Sequence, residues 1–248
     1  MDYRYDRIGI VYGQHRHGDL RILRQIELAL GQADTVVDVG AGTGAYSPVA
    51  RRVVAVEPSE VMIAQRPQNA APVVRALADA LPFPDRSFDA ALATFTVHHW
   101  SDPAEGLREM RRVAACQVVL TFDQGEDWLD EFWLTRDYFP REYFRGSMFS
   151  GLGPVLQVLE ASRVEVVRVP ADCSDGFFCA YWKRPEAYLD PDVRLSISAL
   201  ALLGDEILEP GLRRLDEDIR SGRWAERNED LLDFDSYDWG YRLVICEP

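Results

Sequence analysis

Basic runs, metal-ligand spacings and long apolar stretches are what this chain has least of, and each absence removes a class of function. With 27 Lys+Arg against 41 Asp+Glu, the formal net charge is −14. No basic run follows a phosphate backbone, so nucleic acid is not an expected partner. The four cysteines, Cys116, Cys173, Cys179 and Cys246, show no C-x-x-C spacing, and none has a histidine at zinc-ligand distance. Neither a metal site nor a disulfide is expected. The first residues, MDYRYDRIGI, lack the apolar stretch of a signal peptide, and no window reaches the roughly 18 uninterrupted apolar residues of a membrane span. The expectation is a cytoplasmic protein with no membrane partner. No internal repeat or low-complexity tract is visible.

At 248 residues the chain suits one α/β domain with insertions. Its centre is TVVDVGAGTGAYSPVARRVVAVE, Thr35–Glu57. Val36, Val37 and Val39 read as a buried parallel strand, and Gly40, Gly42 and Gly44 follow where a tight turn into a helix belongs. Only eight residues separate Gly44 from the next apolar run, Val53–Val56, so that helix is expected to be short, with Pro48 in its first turn. Glu57 ends the second run, where a Rossmann-like unit places the acidic residue that accepts hydrogen bonds from ribose hydroxyls. The loop fits the loose dinucleotide pattern G-x-G-x-x-G/A. Asp38, just before the first glycine, is a poor neighbour for a pyrophosphate and a good one for cationic ammonium and sulfonium groups. S-adenosylmethionine is therefore the expected cofactor, with a nicotinamide-dependent oxidoreductase as the alternative.

The segments DVGAGTG, VVAVEPS and ADALPFPDRSFDAAL resemble class I S-adenosylmethionine-dependent methyltransferases, particularly the small-molecule type related to ubiquinone and menaquinone biosynthesis. The resemblance runs from about residue 35 to residue 122. It implies a Rossmann-like α/β fold: a seven-stranded, mostly parallel sheet with helices on both faces, here with a helical cap inserted late in the chain. It makes Asp79 the reader of adenine, with Ala80 beside it, and puts Ala41, Thr43, Pro58, Met62 and Thr96 against the cofactor. In the resembled family the N-terminal segment often covers the cofactor, which makes Tyr12 and Arg16 candidates for its methionine carboxylate.

The remaining segments dress that core. Leu20, Leu23, Ile26 and Leu30 mark an amphipathic helix ended by Gly31. Val73–Ala76, Ser87–Phe95, Val118–Phe122, Val164–Val169 and Tyr241–Ile245 read as further strands. Asp102-Pro103-Ala104-Glu105 is a helix start for a helix over 103–113. The expected organisation is one methyltransferase domain over 1–248, with an N-terminal arm at 1–19 and insertions at about 123–150 and 171–238. The first insertion is rich in aromatic residues, most of them expected to complete the core. In the second, Arg194–Leu203 and Gly211–Arg220 look helical, and Pro185, Pro191 and Pro210 act as punctuation.

His98 and His99 follow the carboxyl end of the fourth strand, where open α/β sheets place ligands, and are the candidate bases for an acceptor hydroxyl or acidic carbon. The acceptor pocket is expected between them and some of Tyr143, Phe144, Asp172, Asp175, Tyr181 and Trp182. A mostly apolar pocket of that kind suits a small aromatic or polyketide-like acceptor. A regulator that binds S-adenosylmethionine without transferring methyl remains an alternative from the residues alone, and the acceptor atom is left open.

Overall fold

A computed structural model describes residues 12–123, 128–139, 141–144 and 152–247. Among the described residues nine strands form two sheets: β1 Thr35–Val39, β2 Arg52–Val56, β3 Val73–Val74, β4 Phe88–Thr94, β5 Ala114–Phe122, β6 Arg163–Val166, β7 Val169–Pro170, β8 Ser236–Tyr237 and β9 Tyr241–Cys246. The main sheet has the order β3-β2-β1-β4-β5-β9-β6, with β7 and β8 forming a small separate ladder. Pairing among β1 to β5 is parallel, while β9 runs antiparallel to both β5 and β6. The order reverses between β1 and β4, so their carboxyl ends flank a crevice of the kind where doubly wound sheets bind ligands.

The sheet forms where the chain is richest in β-branched and small apolar residues. Val36, Val37 and Val39 in β1, Ala90 to Ala93 in β4 and Val118 to Leu120 in β5 are all shut off from solvent, as strands covered on both faces must be. Helix Pro103–Val113 starts where the sequence places it: the Asp102 carboxylate accepts from the Glu105 N–H, and the proline occupies the first turn. Helix Leu20–Ala29 is capped by Asp19, and Gly31 follows it with φ +55°.

Four expectations need correction. No helix follows the glycine loop, because residues 41–51 make successive turns with Gly44 N–H bonded to Ala41 O and Ser47 N–H to Gly44 O. The apolar face of helix Leu20–Ala29 is Ile22, Ile26 and Ala29, whereas Leu20 is 76% exposed. The run expected as one strand from Val164 is split into β6 and β7. Pro210 lies inside helix Asp205–Ser221 rather than between helices. There the following Gly211 presses on the aromatic excursion: a Cβ on it would sit 2.3 Å from the Phe139 ring and 2.8 Å from Tyr138 O. That packing overrides the local preference of proline.

In the first insertion Phe132, Trp133, Tyr138, Phe139 and Phe144 are buried. Phe132, Trp133 and Phe144 stack edge-on with Phe178, Tyr188 and Trp224 of the second insertion and with Trp239 just after it. The two insertions thus share one apolar core. Among the described residues no helix is long and apolar enough to cross a membrane.

Candidate functional site

The loop after β1 is held by its own bonds. Gly40 and Ala41 both donate to Val56 O, at 2.8 and 3.0 Å. Gly42 donates to Glu57 Oε2 at 2.9 Å, and Glu57 Oε1 accepts from Ser59 N–H at 2.9 Å. Gly40, Gly42 and Gly44 all adopt positive φ, at +69°, +54° and +90°, a region open to glycine and costly for other residues. Gly40 is also forced by packing, since a Cβ there would lie 2.1 Å from Thr96 Oγ1. The Thr96 hydroxyl is itself fixed by the Trp100 indole N–H at 3.1 Å.

These contacts decide between the two cofactor classes. A pyrophosphate needs free backbone N–H groups at a helix N-terminus. Here no helix follows the loop, and the N–H groups of Gly40, Ala41, Gly42 and Gly44 are already committed. Two buried carboxylates border the loop instead. Asp38 is 1% exposed, and its Oδ2 accepts from the Ser47 hydroxyl, while Oδ1 has no hydrogen-bond partner. Burial pushes the Asp38 carboxyl up to about 6 against the opposing pull of Ser47 and Arg66. Glu57 is likewise raised by burial, in spite of its two backbone donors and Arg66. A site that holds an orphaned buried carboxylate oxygen fits a cationic ligand and rejects an anionic one.

Known proteins agree with this chemistry. A family described as methyltransferase domain matches residues 37–120. A solved structure from Anabaena variabilis, described as a putative methyltransferase from an antibiotic biosynthesis pathway, is 31% identical, with 94% of this chain and 99% of that one covered and a TM-score of 0.81. The chain belongs to the class I S-adenosylmethionine-dependent methyltransferases. Two curated relatives match more locally: a malonyl-[acyl-carrier protein] O-methyltransferase from Halorhodospira halophila, 34% identical over 48% of this chain, and a tRNA carboxymethyluridine methyltransferase from Schizosaccharomyces pombe, 28% identical over 47%. The match spans 43% and 49% of their own lengths, so the chain spans less than half of each.

The methyltransferase core sets most of the expected cofactor residues around one loop. Met62, on helix Glu60–Ala64, is buried, with its Cε 3.3 Å from where a Gly42 Cβ would stand. Pro58 follows Glu57, its carbonyl accepting from Arg75 at 3.2 Å. Thr43 is buried in the loop, and Ala41 is half-buried. Asp79 lies on the loop after β3 and accepts from the Ser101 hydroxyl at 3.0 Å, with Ala80 exposed next to it. That loop is stapled from below. Glu109 accepts from Leu81 N–H at 2.8 Å, and Arg112 donates to Leu81 O and Phe83 O at 3.0 and 2.7 Å. Neither Glu109 nor Arg112 stood out in the sequence, although their i, i+3 spacing on a helix marks them as an ion pair.

Arg16 is not directed at the loop. Its Nε and Nη2 donate to Asp175 at 2.7 and 3.2 Å in a pair with side chains only 9% and 0% exposed. Asp175 also accepts from the Tyr46 hydroxyl at 3.0 Å and from Gly176 N–H at 2.8 Å. The turns after the glycine loop, the N-terminal segment and the second insertion therefore meet at one buried carboxylate. Tyr12 begins helix Tyr12–His15, but its side chain lies outside the described residues.

The expected acceptor residues scatter. Trp182 is fully buried in the cap core, its indole N–H shared between Val169 O and Pro170 O, both at 3.2 Å. Phe144 is buried against Phe178, and Tyr143 is 46% exposed. Asp172 is on the surface, paired with Arg21. Tyr181 is half-buried, with Arg184 over its ring. What the strand ends do gather is a different aromatic group. Phe95 leaves β4 with φ +54° and lies 5.7 Å from Tyr46, 5.0 Å from Phe177 and 5.5 Å from Tyr241, ring to ring. His98 and His99 face each other at 3.8 Å, and His98 lies 5.1 Å from Phe122, which in turn touches Tyr241. A bulky residue in the left-handed region costs about 1–2 kcal/mol, and such strain collects at functional sites. Phe95, Phe122, Phe177 and Tyr241 were missed because only the strand order brings them together.

Proposed function

We propose that this methyltransferase transfers the S-adenosylmethionine methyl group to a small aromatic or polyketide-like acceptor bound at the carboxyl ends of β4 and β5. The bound cofactor supplies an already activated sulfonium methyl, which leaves the chain the work of alignment and exclusion of water; such alignment contributes roughly 7–11 kcal/mol. Glu57 accepts both ribose hydroxyls, Asp79 accepts from the adenine amino group, Met62 packs on the base, and Asp38 balances the positive charge. Phe95, Phe122, Phe177 and Tyr241 form the apolar wall beside the acceptor. His98 and His99 adjoin that wall and take the proton of an acceptor hydroxyl or acidic carbon on an imidazole nitrogen.

The observation that carries this reading is the junction at Phe95, where the cofactor loop, the end of β4 and the second insertion meet through aromatic rings. The description of the Anabaena relative, an antibiotic biosynthesis methyltransferase, supports an acceptor of natural-product type. The net charge of −14 speaks against a nucleic-acid acceptor. The test is methyl transfer from isotopically labelled S-adenosylmethionine to three offered acceptors: a panel of phenolic and polyketide-like molecules, a malonyl-acyl carrier protein, and bulk tRNA. Label is expected in the small molecules, with turnover falling at least about tenfold in His98→Gln or His99→Gln. Label found only in the carrier protein or the tRNA overturns the acceptor assignment.

A further inference from the structure

Two buried polar atoms of opposite character border the glycine loop without hydrogen-bond partners: Asp38 Oδ1, an acceptor, and Arg66 Nε, a donor. The second belongs to a residue that follows helix Glu60–Ala64 and reaches back over the loop. Arg66 Nη1 donates to Gly42 O at 2.8 Å. Its guanidinium lies flat on Gly44, where an added Cβ would come within 3.3 Å of Nη1 and 3.4 Å of Cζ and Nη2. Nη2 makes one long contact, 3.5 Å, to Ala71 O. The Nη1 corner thus holds the loop, while the Nε–Nη2 edge has no partner at ordinary length.

That edge is the one through which an arginine grips a carboxylate by two parallel N–H···O bonds. Asp38 and Arg66 do not bond each other, although each feels the other's charge: Asp38 and Glu57 support the Arg66 cation against a burial that works to discharge it. An unpaired anionic oxygen and an unpaired cationic fork on one loop are complementary to a zwitterion. The amino-acid end of S-adenosylmethionine is such a group, with an α-ammonium and an α-carboxylate on one carbon. Arg16 is not available for this role, since both Nε and Nη2 are spent on Asp175.

We propose that Arg66 anchors the α-carboxylate of the cofactor while Asp38 receives its α-ammonium, so that the pair reads the amino-acid end as a zwitterion. The assignment rests on the methyltransferase reading of the loop. Both atoms are shielded from solvent in this conformation, and the carboxylate is met by a turn of the guanidinium about the Nη1 bond to Gly42 O. Arg66 then has two tasks, shaping the loop through Nη1 and binding through Nε and Nη2, and these separate experimentally.

The experiment is calorimetric titration of wild type, Arg66→Met and Arg66→Lys with S-adenosylmethionine and with its decarboxylated analogue, which keeps the adenosyl, sulfonium and amine groups. Wild type is expected to bind the intact cofactor about ten- to hundredfold more tightly than the analogue, as a charge-assisted pair supplies. Arg66→Met should lose about that factor for S-adenosylmethionine and change less than about threefold for the analogue. Arg66→Lys keeps a donor for Gly42 O without the fork; it should lose affinity for the intact cofactor alone, and it carries the comparison if Arg66→Met does not fold. Equal losses for both ligands would reduce Arg66 to a loop support, and unchanged or improved cofactor binding would remove the anchor altogether. A wild-type chain that binds neither ligand would fail the cofactor reading itself, a result distinct from any of these.

Discussion

Asp172 and Asp175 stand three residues apart in one turn, opposite Arg21 of helix Leu20–Ala29 and Arg16 before it, yet the structure gives them very different weights. Replacing Asp175 by Ala removes a carboxylate partner of a guanidinium whose side chain is 9% exposed, and also takes an acceptor from the Tyr46 hydroxyl and from Gly176 N–H. Removing one member of a buried pair costs about 3–5 kcal/mol, because the remaining charge stays out of water. Asp172 is 81% exposed and its Arg21 keeps a second carboxylate, Asp19, so Asp172→Ala should leave stability almost unchanged. At roughly 2–4 °C of melting temperature per kcal/mol for a chain of this size, the first variant should melt ~6–20 °C below wild type and the second close to wild type. Urea unfolding of both variants, with Arg16→Met added to Asp175→Ala, measures this. The double variant should recover part of the loss, since the guanidinium that lost this carboxylate is then removed as well. Equal, small costs for Asp172→Ala and Asp175→Ala would refute the argument, as would a double variant worse than the sum of its parts.

Two further outcomes follow from the loop. The Asp38 carboxyl, raised by burial to about 6, is neutral below that pH and anionic above it, so its stabilising share is present in acid and lost as pH rises through 6. A cationic ligand reverses the preference, and affinity for S-adenosylmethionine should therefore climb between about pH 5 and 7. Glu57 and Arg66 also face this carboxylate, and Glu57 is shifted in the same direction; Asp38→Asn isolates the Asp38 share, and a pH dependence that survives it intact contradicts the assignment. Gly40→Ala would drive a Cβ against Thr96 at positive φ, whereas Gly31→Ala meets nothing within 4 Å and has only its own positive φ to bear. The first should lower both stability, by about 2–4 kcal/mol, and cofactor affinity; the second should cost about 1 kcal/mol and leave binding alone. Thermal melts with and without cofactor distinguish them, and similar behaviour of the two variants would count against the close approach at Thr96.

The sequence was most legible where structure is local. The β-branched runs of β1 and β2, the small apolar run of β4 and the Asp102–Glu105 cap each carry their own physical cause, and the glycine spacing with Asp38 and Glu57 pointed to the cofactor class. Local rules failed where tertiary contacts override them. Residues 41–51 turn rather than wind, with Gly44 N–H on Ala41 O and Ser47 N–H on Gly44 O in place of helical bonds, and Pro210 is carried inside a helix by the packing of Gly211 on Phe139. Arg16 and Asp175 are 159 residues apart, and nothing in either segment announces the pair. Asp172 and Asp175 look alike as letters, and so do the buried Phe144 and the exposed Tyr143; burial, which separates them, is a property of the whole chain. Arg66 escaped notice for the same reason, since its partners are on the loop that precedes it by more than twenty residues.

The central claim is that this loop, bordered by two buried carboxylates, takes an adenosyl cation and not a dinucleotide. Competitive calorimetry with S-adenosylmethionine, NAD and NADP on wild type and Glu57→Ala tests it directly. S-adenosylmethionine is expected to bind with Kd on the order of micromolar and to weaken at least about tenfold in Glu57→Ala, as the loss of charge-assisted ribose bonds requires, while the dinucleotides bind far more weakly to both. Tight NAD binding that S-adenosylmethionine does not displace, or cofactor affinity unchanged by Glu57→Ala in a variant that still melts cooperatively, would contradict it.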